Sequence, residues 1–217
     1  MVDDFSRYAL GVRACADQCA ETVRAALIDI FRLYGLPERM LMDNGSCWGQ
    51  KESRYTVLTI WLLRLGLRLS HSRPYHPQTQ GKNERFNRTL KEDAIAGRNY
   101  HDLADCQNHF DRFRRTYNQE RPHEALDLKT PASRYQVSPF AYPEALPPIE
   151  YFSSDTVRKV GPAGYISYRK ERYQIGRAFA GEPVALRCTE RDGELAVYYC
   201  HAQVAVIDLT TGTFLLY

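Results

Sequence analysis

The period at which apolar and polar positions alternate changes over the first part of the chain. Residues 7–14 place apolar side chains at every second position, which predicts a half-buried strand. The spacing changes to three and four over residues 23–34, which predicts a helix that ends at Gly35. A short strand follows over residues 39–42, and Asp43 stands at its carboxyl end. The chain therefore begins as an alternation of strands and helices.

This alternation continues to about residue 98. Residues 57–65 are almost wholly apolar and predict a buried helix, although their length and β-branched content leave a strand open. Residues 67–71 alternate as a further strand, and another helix begins near Gly81. The order predicts an α/β domain with a mixed sheet covered by helices on both faces. Functional groups gather beyond the strand ends of such sheets, where Asp43 lies.

The remainder of the chain changes character twice. Residues 102–117 form an amphipathic helical pattern, and Pro131 predicts the first residue of a short helix. Four prolines in residues 138–148 predict a stiff, extended linker, and the alternating segments beyond it predict a small all-β barrel. The predicted domains are a core over residues 1–98, a helical extension over 99–136, a linker over 137–156 and the barrel over 157–217.

Composition narrows the class of protein. The 217 residues are 44% hydrophobic and 25% charged, which suits one good core with a smaller appendage. A net charge of +3 is too small to indicate a nucleic-acid partner, so the distribution of charge must decide. Six cysteines without a Cys-x-x-Cys pair predict reduced core residues of a cytoplasmic protein. The most apolar run, residues 55–63, is too short to cross a membrane.

Two carboxylates are candidates for metal chemistry. The turn signal at Gly45 leaves the Asp43 carboxylate exposed after its strand, although the same residues also suit a plain turn. On a helix from residue 81, Glu84 lies on the face opposite Phe86, and the alternative is a solvated pair with Arg88. Carboxylates at the ends of separate elements are natural ligands of the divalent cations used in phosphodiester transfer.

Four motifs follow one another in a fixed order: Val2-Asp3-Asp4-Phe5-Ser6-Arg7-Tyr8, Gly35-Leu36-Pro37 with Asp43-Asn44-Gly45, residues 73–90, and residues 117–126. Together they closely resemble bacterial insertion-sequence transposases with a retroviral-integrase-type catalytic core. The resemblance extends from residue 2 to about residue 136 and continues more weakly over residues 151–209.

The resemblance implies a ribonuclease-H-like fold, an SH3-like C-terminal barrel and metal-dependent cleavage and transfer of DNA strands. It also implies an Asp-Asp-Glu triad that binds Mg²⁺ or Mn²⁺, in which Asp43 takes the second place and Glu84 the third. The first Asp of the family falls before Met1, so we expect an N-terminally shortened polypeptide that does not join DNA alone. Asp3 and Asp4 match positions that are ordinarily not ligands. The alternative is an inactive remnant that binds only DNA or the full-length transposase.

Basic residues near these motifs predict a DNA partner, and the intact parent is expected to form a homo-oligomer. The first group of predicted DNA contacts is Arg73, Tyr75, His76, Lys82, Arg85, Arg88 and Lys91. The second group lies in a segment with interleaved tyrosines and comprises Arg158, Lys159, Arg169, Lys170 and Arg172. The alternative for the second group is that the tyrosines pack the barrel while the charges only solubilise it.

Overall fold

The computed structural model describes residues 1–43, 45, 47–49, 55–71 and 81–216. These residues form two compact units. The first contains Met1–Leu36 and Ser72–Tyr142, and the second contains Pro37–His71 and Pro143–Tyr217. The domain boundaries drawn from the sequence stay predictions.

Helices and strands alternate first and strands dominate later. The helices are α1 (Ala20–Tyr34), α2 (Val57–Arg64), α3 (Gly81–Leu90) and α4 (Leu103–Gln119), and a π-helical turn, Lys91–Ile95, follows α3. Short 3₁₀ turns cover Glu124–Leu126, Pro131–Ser133 and Arg177–Phe179. The strands are β1 (Arg39–Met42), β2 (Arg68–His71), β3 (Thr156–Lys159), β4 (Tyr165–Tyr168), β5 (Glu171–Gln174), β6 (Pro183–Cys188), β7 (Glu194–Tyr199), β8 (Ala202–Asp208) and β9 (Phe214–Leu216).

The helices predicted from periodicity are confirmed, and local signals fix their ends. Helix α1 ends at Gly35, whose φ of 75° lies in the left-handed region. A β-carbon there would meet the Phe140 carbonyl oxygen at 2.7 Å, so the close approach also requires glycine. The apolar run near residue 60 is the helix α2, and a capping box at Thr56 begins it. Asp102 caps α4 by accepting a hydrogen bond from the Asp105 backbone.

The predicted strand over residues 7–14 is wrong as a regular element. In the described residues its ladder is a single bridge between Val2 and Ala9. The Asn118 amide takes the place of a strand, because its Oδ1 accepts from Ala9 N at 2.8 Å and its Nδ2 donates to Ala9 O at 3.1 Å. A positive φ at Arg7 turns the chain just before. The period-two pattern records burial of this segment and not a strand ladder.

Aromatic side chains of α3 and α4 build much of the core of the first unit. Phe86 of α3 lies against Phe113 and Tyr117 of α4, with ring centroids 6.0 and 5.1 Å apart. Phe110 and Ala94 complete the same cluster, all buried. This packing turns the polar face of α3 outward.

In the second unit, β1 and β2 pair in parallel, with Met42 opposite His71. Because parallel strands end at the same edge, Asp43 and His71 lie together there. The sheet predicted as mixed is a two-stranded parallel sheet in the described residues. Helix α2 buries Ile60 and Leu63 in the core that the later strands form.

The predicted all-β C-terminal segment is confirmed as strands. An antiparallel sheet has the order β3-β6-β7-β8-β9, and β4 and β5 form a separate hairpin. Its core centres on Phe179, Tyr199 and Val197, none of which has exposed surface. The proline-rich segment has no regular structure over residues 141–155, and its start is tied to α1 by a hydrogen bond from Ser138 N to Tyr34 O.

The prediction that the cysteines are core residues is wrong. All six are free thiols. The three exposed ones are Cys15, Cys19 and Cys188, and the three partly buried ones are Cys47, Cys106 and Cys200. The absence of a Cys-x-x-Cys pair indicates that the cysteines form no such motif, but it does not indicate whether they are buried. Within the described ranges, the helices are too short or too polar to cross a membrane.

Candidate metal and nucleic-acid site

Asp43 follows β1 directly and its side chain is exposed. Its Oδ1 accepts a hydrogen bond from Gly45 N at 2.9 Å, which closes a short turn after the strand. His71 Nδ1 lies 3.4 Å from the Asp43 carbonyl oxygen at the end of β2. Burial raises the pKa of the nearby Cys47 thiol, and the negative charge of Asp43 raises it further. The turn holds the carboxylate at the edge of the parallel pair.

Glu84 lies in the first turn of α3 and is exposed. The neighbouring cations Arg85, Arg88 and Lys91 are exposed as well, while Phe86 is buried. This division confirms the helical face proposed from the sequence. An acidic residue near a helix N-terminus also interacts favourably with the helix dipole. Helix α3 therefore presents one carboxylate among several cations to solvent.

Asp43 belongs to the second unit and Glu84 to the first, so a metal site shared by them stays a prediction. Their chemistry fits Mg²⁺, which prefers carboxylate oxygens and keeps several water ligands. Both side chains are exposed, which leaves room for that water. Among the described residues, no three His, Cys, Asp or Glu side chains gather as a ready-made metal cluster.

Lys82 differs from the other predicted DNA contacts of α3. Its Nζ lies 2.7 Å from Asp4 Oδ1 and 2.8 Å from Asp4 Oδ2. This exposed ion pair already uses the lysine charge. Asp3 is also engaged, because its Oδ2 accepts from Ser6 N at 2.7 Å and Ser6 Oγ at 2.6 Å. Asp3 thus has a structural role in the turn that begins the chain.

The second basic group surrounds the β4–β5 hairpin. The Arg172 guanidinium lies 4.9 Å from the centre of the Tyr165 ring, and Arg169 and Arg158 lie 5.5 and 6.0 Å from the Tyr168 ring. Both tyrosines are only partly buried. Tyr173 differs, because it is buried in the core. Tyr168 also packs against this core, so the interleaved tyrosines contribute both to packing and to an arginine-covered surface.

The tip of this hairpin carries backbone strain. Arg169 and Lys170 connect β4 to β5 and have φ values of 49° and 70°. Successive left-handed residues form the tight turn that matches strand twist, and glycine or asparagine usually occupies it. Two long cationic side chains at these positions are exposed together with Lys159. The sequence places five cations on or beside one hairpin.

Four predicted features fall outside the described residues. They are the contacts Arg73, Tyr75 and His76 and the turn residue Asn44. Three arginines of the first unit that the sequence did not bring together line a cleft: Arg98, Arg112 and Arg121. These arginines are spread over 24 positions and three segments, so they form no local motif.

Comparison with known families places the chain. Residues 1–77 and residues 65–131 each match an integrase core domain family. Residues 155–215 match the family described as IS481 family transposase, C-terminal domain. Asp43 and Glu84 both lie inside the integrase core matches.

Two solved structures are similar to this chain. The catalytic core domain of BIV integrase aligns at 21% identity and a TM-score of 0.44, over 59% of this chain and 80% of that chain. A chain of the simian T-cell lymphotropic virus intasome, solved with PP2A regulatory subunit B56 gamma, aligns at 18% identity and a TM-score of 0.50. That alignment covers 90% of this chain and 63% of the viral chain, and it concerns the fold alone.

These matches define the class as proteins with an integrase catalytic core followed by a transposase C-terminal domain. The chain belongs to the insertion-sequence transposases with an integrase-type core, and its function lies in DNA integration.

Proposed function

We propose that Asp43 and Glu84 are the second and third carboxylates of an Mg²⁺-dependent DNA strand-transfer site. The observation that carries this proposal is their placement inside the integrase core matches, at a strand end and in the first turn of a helix. Both carboxylates are exposed, as ligands of a hydrated cation must be.

When bound at these carboxylates, divalent cations would supply activation of the attacking oxygen and neutralisation of the leaving one. The residues of the chain have separate tasks. Asp43 and Glu84 would be the carboxylate ligands of the cations, and the hydrogen bond from Gly45 N orients the Asp43 side chain. Arg85, Arg88 and Lys91 hold the phosphate backbone, since they are exposed near Glu84 on α3 and on the turn that follows it. Orientation of the DNA relative to the carboxylates follows from these contacts.

The second candidate function is DNA binding without cleavage, in which the chain contacts DNA or another transposase chain. The arginine and tyrosine surface of the β4–β5 hairpin favours it, because this surface lies outside the integrase core matches.

We also propose that the C-terminal strands close as an SH3-like barrel and that the active transposase is a homo-oligomer in the cytoplasm. An SH3-like barrel agrees with the order β3-β6-β7-β8-β9 and its separate hairpin.

Weak binding of Mn²⁺ is expected at Asp43 and is measurable by calorimetric titration of the chain. Removing one of few carboxylate ligands with Asp43→Ala should weaken that binding by about tenfold or more. Asp192→Ala is the matched control, because Asp192 is also exposed beside a glycine in a turn. Equal affinity in the wild type and the Asp43 variant would remove Asp43 from the metal site.

DNA binding without sequence preference, falling steeply with salt, is expected from fluorescence anisotropy with duplexes of unrelated sequence. Arg172→Ala should lower the slope of log affinity against log salt by about 0.9, the value for one lost phosphate contact. Arg191→Ala is the control, since Arg191 is exposed on another hairpin of the same unit. A flat salt response, or equal slopes for both variants, would exclude the β4–β5 surface.

A further inference from the structure

A cleft of about 420 Å³ lies in the first unit beside α4. Its buried floor is apolar and consists of Ala94, Phe113 and Tyr117. Polar and charged side chains complete the lining: Asp93, Arg98, His109, Arg112, Thr116 and Arg121. Arg98 and Arg112 lie outside the motifs that the sequence linked to DNA, whereas Arg121 belongs to the motif over residues 117–126. The cleft is therefore a separate feature from the face of α3 that carries Glu84.

The charges of this arginine cleft do not balance. Asp93 is the one carboxylate in the lining, and its Oδ2 lies 2.6 Å from Arg121 Nη1. Arg98 Nη2 donates instead to the Asp93 backbone oxygen at 3.1 Å. Within the part of the chain that the structure describes, Arg98 and Arg112 have no carboxylate at ion-pair distance. Three guanidinium groups thus face one carboxylate, and the cleft has excess positive charge.

The π-helical turn Lys91–Ile95 supplies the backbone carbonyl that positions Arg98 in the cleft. Ala96 N donates to Lys91 O at 2.7 Å, a spacing of five residues that widens the helix. The carbonyl of Asp93 is then the acceptor for the Arg98 side chain. A guanidinium has five N–H donors, so one bond to this carbonyl leaves donors for a ligand. Such single-turn widenings recur at functional sites.

We propose that the arginine cleft binds a phosphate group of the DNA backbone. This proposal rests on DNA as the partner of the chain. Guanidinium groups match the spacing of phosphate oxygens and bind them through pairs of charge-assisted hydrogen bonds. The apolar floor excludes water beneath the phosphate, which strengthens the attraction between opposite charges. Excess charge, available donors and a floor of fixed shape together favour one anion of this type.

The test compares two double variants with the same change in charge. Arg98→Ala/Arg112→Ala removes two arginines of the cleft. Arg115→Ala/Lys129→Ala removes two exposed cations that do not line it, one of them on the same helix as Arg112. Each protein is titrated with duplex DNA over a range of salt, and with inorganic phosphate while the NMR shifts of the Ala94 and Thr116 amides are followed.

The cleft variant should bind DNA about tenfold more weakly at low salt, with a salt slope reduced by about one, and lose the phosphate-induced shifts. The control variant should keep the wild-type slope and shifts. Equal losses of DNA affinity in both double variants would overturn the proposal that the cleft binds a phosphate of DNA. Such a result would leave DNA binding by the chain itself intact. A wild type that binds phosphate but no DNA would overturn the DNA assignment, and would also count against the proposed function.

Discussion

Replacing Asp43 by asparagine, or Glu84 by glutamine, is expected to lower the rate of DNA strand transfer about a thousandfold or more. Each replacement keeps the size of the side chain but removes the negative charge that a divalent cation requires. Loss of one ligand withdraws several kcal/mol of transition-state stabilisation, and each 1.36 kcal/mol corresponds to about a tenfold change in rate. The variants should fold normally, because both side chains are exposed.

The measurement is a strand-transfer assay with labelled transposon-end DNA and Mn²⁺, in a preparation of this transposase that joins ends. Asp192→Asn and Glu92→Gln are matched controls, since both residues are exposed carboxylates and Glu92 lies in the π-helical turn that follows α3. Their activity should stay within about twofold of the wild type, as for exposed sites away from the chemistry. Activity retained by either Asp43→Asn or Glu84→Gln would assign the metal to other residues. DNA binding unchanged in both variants would separate a defect in chemistry from a defect in binding.

The second large effect concerns stability. Phe179→Ala is expected to destabilise the second unit by about 3–5 kcal/mol, as for other fully buried phenylalanines. Phe179 has no exposed surface, and its ring contacts Tyr55 and Tyr199 edge to face, with centroids 5.0 and 5.4 Å apart. Removing it leaves a cavity between the strands and the segment that leads into α2. Loss of the ring contacts adds to the loss of buried apolar area.

Urea unfolding followed by tryptophan fluorescence is the measurement. The two tryptophans of the chain, Trp48 and Trp61, both belong to the second unit, whereas α1, α3 and α4 belong to the first. The midpoint of the tryptophan transition should fall by about 2 M in Phe179→Ala. Leu215→Ala is the control, because Leu215 is 70% exposed on β9 of the same unit. A midpoint that moves equally little in both variants would show that the ring contacts of Phe179 contribute nothing to stability.

Local patterns predicted the helices well because their causes are local. The helical repeat brings residues three and four apart onto one face. The spacing of Phe110, Phe113 and Tyr117 therefore predicted that they are buried. Gly35 likewise marked the end of α1 through a backbone angle that favours glycine. The exposed placement of Glu84 followed from the same repeat. The matches to the integrase core agree with the motifs that the sequence contains.

Contacts between distant residues account for the failures. The segment over residues 7–14 has an alternating pattern, but the backbone hydrogen bonds of Ala9 go to Asn118, 109 positions away. The charges that neighbour Lys82 in the sequence gave no sign that Asp4 lies beside it. Free cysteines were expected in the core, and Cys15 is exposed.

The sequence by itself determined the helices and most of the strands after the first, since periodicity depends on neighbours along the chain. It also proposed the residues of a metal site. Only the tertiary structure decided which cations remain available. It paired Lys82 with Asp4, laid Arg172 over Tyr165 and gathered Arg98 and Arg112 around one cleft. The reason is that the energy of a charge depends on what lies within a few ångströms of it, and those neighbours come from remote parts of the chain.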